Sequence, residues 1–128
     1  MDELLKKLQY KNQTSCLILD LPKNMHAIKD LFPVKITESE KDTHDFIMIF
    51  AFSIRDATEK ISRVISKLED DQLLWFCYPK KSATHYKSNL NREVSWELFE
   101  EYGFRPVRQI AIDNDWSALR FRDKKYVE

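Results

Sequence analysis

From Gln72 to Arg92 the chain carries no acidic residue, yet holds Lys80, Lys81, His85, Lys87 and Arg92. Cations gathered without counter-charges attract a phosphate, a carboxylate or an acidic partner surface. The plainer use of such lysines is to keep a loop soluble after a strand. Ser82 beside Lys81 has the composition of a Ser–Lys nucleophile pair, but adjacent side chains usually point apart. Asp113-Asn114-Asp115 offers two carboxylates for a cation or for acid–base work. Between two strands, the same residues serve as a turn held by Asx bonds to their own backbone. Trp116, with Ser117 after it, could stack on a planar ligand, although tryptophans there more commonly pack under a neighbouring loop. His26, His44 and His85 lack the spacing of metal ligands, so no metal is expected. Cys16 and Cys77 sit inside apolar runs and read as reduced core thiols, not nucleophiles.

Composition removes whole classes of chemistry. Gly103 is the only glycine among 128 residues. The P-loop, the dinucleotide fingerprint and the nucleophile elbow each need at least two, so none is present. Twenty-one basic residues balance twenty-one acidic ones, and the balance holds within each half of the chain. Nucleic acid is therefore not an expected partner. The acid-free stretch reads as the one local positive field. No apolar run approaches the length of a membrane span, no secretory leader is visible, and the expected location is cytoplasmic.

The elements that would position these residues follow from apolar spacing. Residues 2–10 read as a helix through Leu4, Leu5 and Leu8. Cys16–Leu21 reads as a strand stopped by Pro22, and Asn24 as the cap of a short helix carrying Met25, Ile28, Leu31 and Phe32. Val34–Thr37 is a brief strand with an edge open to a second copy, followed by a charged loop to Asp45. Phe46–Phe52 is apolar at every position, as a strand covered on both faces must be. Ser53 and Asp56 resemble a capping box for a helix with Ala57, Ile61, Val64, Ile65 and Leu68 on one stripe. After a charged turn at Glu69-Asp70-Asp71 comes a second wholly apolar strand, Leu73–Tyr78. Asn91 caps a helix running to Tyr102, and Gly103 closes it. Val107–Ile112 and Trp116–Arg122 form a closing hairpin, and Lys124–Glu128 a frayed tail. The inner face of the last strand is uncertain, because Ala118 and Phe121 are out of phase.

Three pieces carry a resemblance to a known family: Leu17-Ile18-Leu19-Asp20-Leu21-Pro22, Leu74-Trp75-Phe76-Cys77-Tyr78-Pro79-Lys80-Lys81-Ser82, and Ile112-Asp113-Asn114-Asp115-Trp116-Ser117-Ala118-Leu119-Arg120-Phe121. Together the chain resembles the bacterial family known as domain of unknown function 3052. That resemblance implies a shortened, Rossmann-type methyltransferase core, without supplying an activity. Methyltransferases carry a glycine-rich turn after the first strand that lets the backbone approach S-adenosylmethionine. Here that turn is Asp20-Leu21-Pro22-Lys23-Asn24, and Glu38 is the acidic residue nearest the end of the second strand.

The expected fold is a single α/β domain over 1–128, three-layered and Rossmann-like. It has a reduced methyltransferase-type, mostly parallel sheet and a C-terminal antiparallel hairpin. Ligands of such sheets sit at the carboxyl ends of the strands. The candidate binding residues are therefore Lys23, Arg55, Lys80, Lys81, Ser82, His85, Asp113, Trp116 and Ser117. The function expected is non-catalytic: a binding or regulatory module for a partner protein or small anionic ligand, monomeric or weakly dimeric, with no cofactor. The alternative is a divergent S-adenosylmethionine-dependent transferase using the same loops, with Lys80, Lys81 and Asp113 foremost.

Overall fold

A strand that is apolar at every position needs cover on both faces, and two such runs organise this molecule. In a computed structural model describing residues 3–37, 43–83 and 87–127, they are the adjacent central strands β3 (His44–Phe50) and β4 (Leu68–Pro79). The two are parallel, with Phe46 opposite Leu73 and Phe50 opposite Cys77. On the far side of β3, β1 (Cys16–Leu19) and then β2 (Ile36–Thr37) continue the parallel pairing. Beyond β4, β6 (Trp116–Asp123) runs antiparallel, and β5 (Phe104–Ala111) pairs antiparallel with β6 at the rim. The strand order is β2-β1-β3-β4-β6-β5.

Alternate residues of each strand enter opposite halves of the core. One half joins Ile18, Phe46, Met48, Phe50, Trp75 and Cys77 to Leu5 of α1 (Glu3–Lys7), to Leu8, and to Met25 and Ile28 of a 3-10 segment, Lys23–Leu31. The other joins Leu17, Ile47, Ile49, Leu74 and Phe76 to Ala57, Ile61 and Val64 of α2 (Ile54–Val64) and Phe99 of α3 (Arg92–Glu100). Each large apolar side chain so buried contributes roughly 1.5–3 kcal/mol. The Trp75 indole also donates to the Leu8 carbonyl at 3.0 Å, tying the end of the first helix onto the sheet.

Caps set the helix starts. Ser53 Oγ accepts from the Asp56 amide at 3.1 Å, while Asp56 Oδ2 accepts from the Phe52 amide, one residue before the cap. Asn91 Oδ1 accepts from the Val94 amide at 2.8 Å. At the far end of α3, Gly103 has φ 84° and donates to the Glu100 carbonyl at 2.9 Å.

Several elements differ from the sequence expectation. α1 is shorter than 2–10, and β1 stops at Leu19 because Asp20 turns into the left-handed region at φ 57°. Pro22, not Asn24, precedes the next turn, which is a 3-10 segment kinked at Met25. β2 holds only Ile36–Thr37. The amphipathic stripe past Val64 does not continue as α-helix: a 3-10 turn, Ile65–Lys67, intervenes and Leu68 begins β4. Glu69–Asp71 is an irregularity inside that strand, because His44 faces Leu68 while Phe46 already faces Leu73. β5 begins at Phe104 and ends at Ala111. Ala118 and Phe121 are out of phase because β6 is buried on both faces. Lys124–Tyr126 is a 3-10 turn capped by Asp123, which accepts from the Lys125 amide. Glu38 and Glu128 lie outside the described residues.

A Cβ placed on Gly103 would meet nothing within 4 Å, so only its positive φ opposes substitution. Gly103→Ala should cost about 1–2 kcal/mol in urea denaturation, and Gly103→Asn clearly less, since Asn adopts this conformation more readily. Equal losses for both variants would refute the conformational account.

Candidate functional site

The carboxyl edge of the sheet collects the ends of β1, β3 and β4, the end of β5 and the start of β6. Two bonds lock its loops together. The Lys80 amide donates to the Asp115 carbonyl at 2.8 Å, and the Ile54 amide to Asn89 Oδ1 at 2.8 Å. From β1 the chain crosses to β2 on one side, and from β3 to β4 on the other. The switch point where open α/β sheets bind ligands therefore lies between β1 and β3.

That point is occupied by a side chain of the protein itself. Lys60 reaches up from α2 and is only 3 % exposed. Its ammonium donates to the Phe50 carbonyl at 2.7 Å, to Asp20 Oδ2 at 2.7 Å and to Asp56 Oδ2 at 2.9 Å. Three protons meet three acceptors, which is what makes burial of the charge tolerable. The Phe52 ring lies 5.8 Å from the same nitrogen. Leu21 and Pro22, in the turn after β1, are buried against the core. Lys60 is absent from the sequence-derived candidates, although a signal existed: it falls on the apolar stripe three residues after Ala57 and four before Val64.

One strand further along, a cavity of about 200 Å³ opens between β4, β5, β6 and the start of α3. Lys80, Lys81 and Arg92 line it together with Asn91, Tyr78 and Ser117. The first turn of α3 adds the positive end of its dipole, so three cations and the helix start favour an anion there, against one carboxylate, Glu93. Glu93 and Gln109 complete the wall, and Gln109 Nε2 donates to the Tyr78 hydroxyl at 3.3 Å. Burial raises the Tyr78 hydroxyl above its ordinary pKa, so it stays protonated at neutral pH.

Of the sequence candidates, Lys80, Lys81 and Ser117 come together in this cavity. Ser82 is exposed beside it and does not line it. Lys23 and Arg55 are exposed on other loops of the same edge. Asp113 lines a different cavity, of about 250 Å³, with Asn24 and Met25. Its Oδ1 accepts from the Asp115 and Trp116 amides, each at 2.8 Å, so it is a turn residue. Trp116 requires correction: it is buried, edge-on to Phe50 and Phe52 at 5.1 and 5.3 Å, and presents no ring for a ligand at the rim. His85 lies outside the described residues. Arg92, Asn91, Tyr78 and Gln109 were missed; Arg92 bounded the acid-free stretch, but nothing local to Gln109 indicated where β5 would place it.

Among the described residues, no three His, Cys, Asp or Glu side chains are grouped to hold a metal ion, and no helix is long and apolar enough to cross a membrane. His44 Nδ1 shares a hydrogen bond with Ser15 Oγ at 2.8 Å. A larger cavity, of about 330 Å³, lies at the opposite edge among Tyr102, Phe104, Asp71 and Arg122. Burial pushes the Cys16 thiol up to about 12, with Asp45 adding to it, and raises Cys77 well above the thiol range.

Both thiols should therefore resist iodoacetamide at pH 8 and react fully once the chain is unfolded in urea; rapid native-state labelling would contradict the burial. Lys60→Met leaves the Phe50 carbonyl and two carboxylates without their cation. Because Asp20 is 55 % exposed and water can re-solvate it, the expected loss is about 1–3 kcal/mol in urea denaturation. An unchanged midpoint would show that the ammonium is not a structural tie.

No protein-family model matches the chain, and no curated protein sequence is similar to it. Solved structures do match its shape. The N-methyltransferase NodS from Bradyrhizobium japonicum WM9, in complex with S-adenosyl-L-homocysteine, superposes with a TM-score of 0.58 at 14 % identity, over 94 % of this chain and 84 % of that one. The ribosomal protein L11 methylase from Lactobacillus delbrueckii subsp. bulgaricus gives 0.58 at 10 % identity, over 94 % and 76 %. The magnesium protoporphyrin IX methyltransferase ChlM from Synechocystis PCC 6803, with bound S-adenosylhomocysteine, gives 0.58 at 10 % identity, over 88 % and 74 %. With the strand order, parallel centre and antiparallel closing strands already established, the chain has a methyltransferase-like Rossmann α/β fold.

Proposed function

We propose that the chain is a non-catalytic binding domain on this fold, holding a small anion such as a phosphate ester or polycarboxylate between Lys80, Lys81 and Arg92. The observation that carries this reading is the Lys60 ammonium. It fills the switch point between β1 and β3, while three cations converge with a single carboxylate, Glu93, one strand away at the start of α3. A turn containing buried Leu21 and Pro22 leaves the backbone after β1 no glycine with which to approach a cofactor. The residues around that turn do not fit S-adenosylmethionine, and no transfer step is derived through it.

A divergent S-adenosylmethionine-dependent transferase is the second reading. Its support is the fold likeness, which extends over nearly the whole chain, to proteins crystallised with S-adenosylhomocysteine. Under it, the ligand would have to lie over β4 and the hairpin, or Lys60 would have to withdraw from the β1–β3 crevice.

A thermal-shift panel of pyrophosphate, citrate, S-adenosylmethionine and S-adenosylhomocysteine separates the two. A ligand at a hundred times its dissociation constant adds about 2.7 kcal/mol. Pyrophosphate or citrate should raise the melting temperature of the native chain, and the Lys80→Gln/Lys81→Gln variant should lose most of that rise. A shift with the adenosyl compounds alone would replace the first reading by the second.

A further inference from the structure

The closing hairpin carries a second cationic surface that charge counting along the chain does not show. In β6, Trp116 and Ala118 point into the half of the core that holds α1, and Leu119 and Phe121 into the other. Alternation then places Arg120 and Arg122 on the α1 side. Register places Arg108 opposite Arg120 and Arg105 opposite Arg122, just as Ile110 stands opposite Ala118. Four arginines therefore stand on one face in two cross-strand pairs of like charge, an arrangement that costs stability where Arg opposite Glu would add it, and the Arg122 side chain reaches the sheet's edge beside Phe104. Lys7 extends the row, its ammonium 3.5 Å from the Ala111 carbonyl.

The arginines are poorly compensated. Among the described residues the one ion pair on this face is Arg122 with Asp71, whose two oxygens each accept at 2.6 Å. Arg105 and Arg108 are exposed. Arg120 donates from Nη1 to Gln9 Oε1 at 2.8 Å, but its Nε is buried with no hydrogen-bond partner. Burial, with Arg122 and Arg108 nearby and Asp71 opposing them, lowers its pKa from the ordinary arginine value. Protection of an open sheet edge explains charge on β5 only. Arg120 and Arg122 sit on β6, which is paired on both sides and needs no such protection.

We propose that this face docks a carboxylate-rich extended segment of a partner protein, with carboxylates received by Arg105, Arg108 and Arg120 as Asp71 is received by Arg122. The fork-to-carboxylate geometry is already present in the Asp71 pair. Arg120 and Arg122 are two residues apart along β6, about 7 Å, which is also the repeat of alternate side chains in an extended segment. Val107, exposed in the bulge between the two β5 arginines, offers an apolar contact beside them. A carboxylate segment is favoured over a phosphodiester chain because the protein has no net charge with which to draw in a long polyanion. The surface lies across the sheet from the cavity at Lys80, because Gln109 and Ser117 of that cavity alternate with Arg108 and Ala118.

The test is fluorescence anisotropy of the full chain with a labelled peptide of alternating Glu and Ser, in low and in physiological salt. Saturable binding that weakens with salt is expected. Arg105→Gln/Arg108→Gln, whose side chains are exposed and leave the fold intact, should weaken it at least about tenfold. Arg120→Lys, which keeps the charge but loses the fork, should weaken it several-fold. Lys80→Gln/Lys81→Gln should leave it unchanged, which separates this surface from the anion cavity. No saturable binding in low salt would overturn the proposal. So would equally tight binding of oligouridylate, or sedimentation showing that the face joins copies of this chain.

Discussion

A buried ammonium survives only where the fold gives each of its protons an acceptor, and Lys60 meets that demand by drawing three segments to one point. Asp20 ends β1, the Phe50 carbonyl ends β3, and Asp56 stands one turn earlier on α2. The position of α2 over the sheet, the left-handed bend at Asp20 and the closure of the edge between the first and third strands are one geometrical fact. Many proteins of this architecture leave that crevice open for a ligand. Here the Lys60 charge sits inside it, between the ends of β1 and β3.

The second organising constraint is local imbalance within global neutrality. Equal numbers of acids and bases exclude a long-range field, yet folding separates them on a scale shorter than the molecule. Lys80, Lys81 and Arg92 converge because a strand end and a helix start meet at one edge. The hairpin arginines converge because antiparallel register sets Arg108 against Arg120 and Arg105 against Arg122. The acid-free stretch was therefore not the only positive field; the other is dispersed in sequence and collected by pairing.

Much of the architecture was legible before any coordinates. Phe46–Phe52 and Leu73–Tyr78 announce two-sided burial; Phe46–Phe50 and Leu73–Tyr78 are the adjacent parallel centre, while Phe52 lies past the strand end and is exposed. Ser53, Asn91 and Gly103 announce helix ends, and each performs that role through bonds to residues three positions away. Errors gathered where tertiary contacts override local pattern. Leu68 continues the apolar spacing of α2 but is taken by β4, opposite His44. Trp116 follows a polar turn and could serve the rim or pack beneath a loop; it packs, edge-on to Phe50 and Phe52. Of the candidate site, Lys80 and Lys81 were legible from the loop after β4 and Ser117 from the turn before β6, while Tyr78 and Gln109 were not, since their meeting needs the register of three strands.

Periodicity, caps and composition are properties of neighbours along the chain, so the amino-acid sequence alone determined the layers, the parallel centre, the final hairpin and the absence of a glycine-built phosphate loop. Which groups meet across the sheet depends on register, crossover and the depth at which a helix settles. Tertiary structure alone decided that Lys60 would seal the edge with Asp20, that Trp116 would be core, and that four arginines would share a face. Each of these is an encounter between residues remote in sequence, and such encounters exist only once the strands have paired.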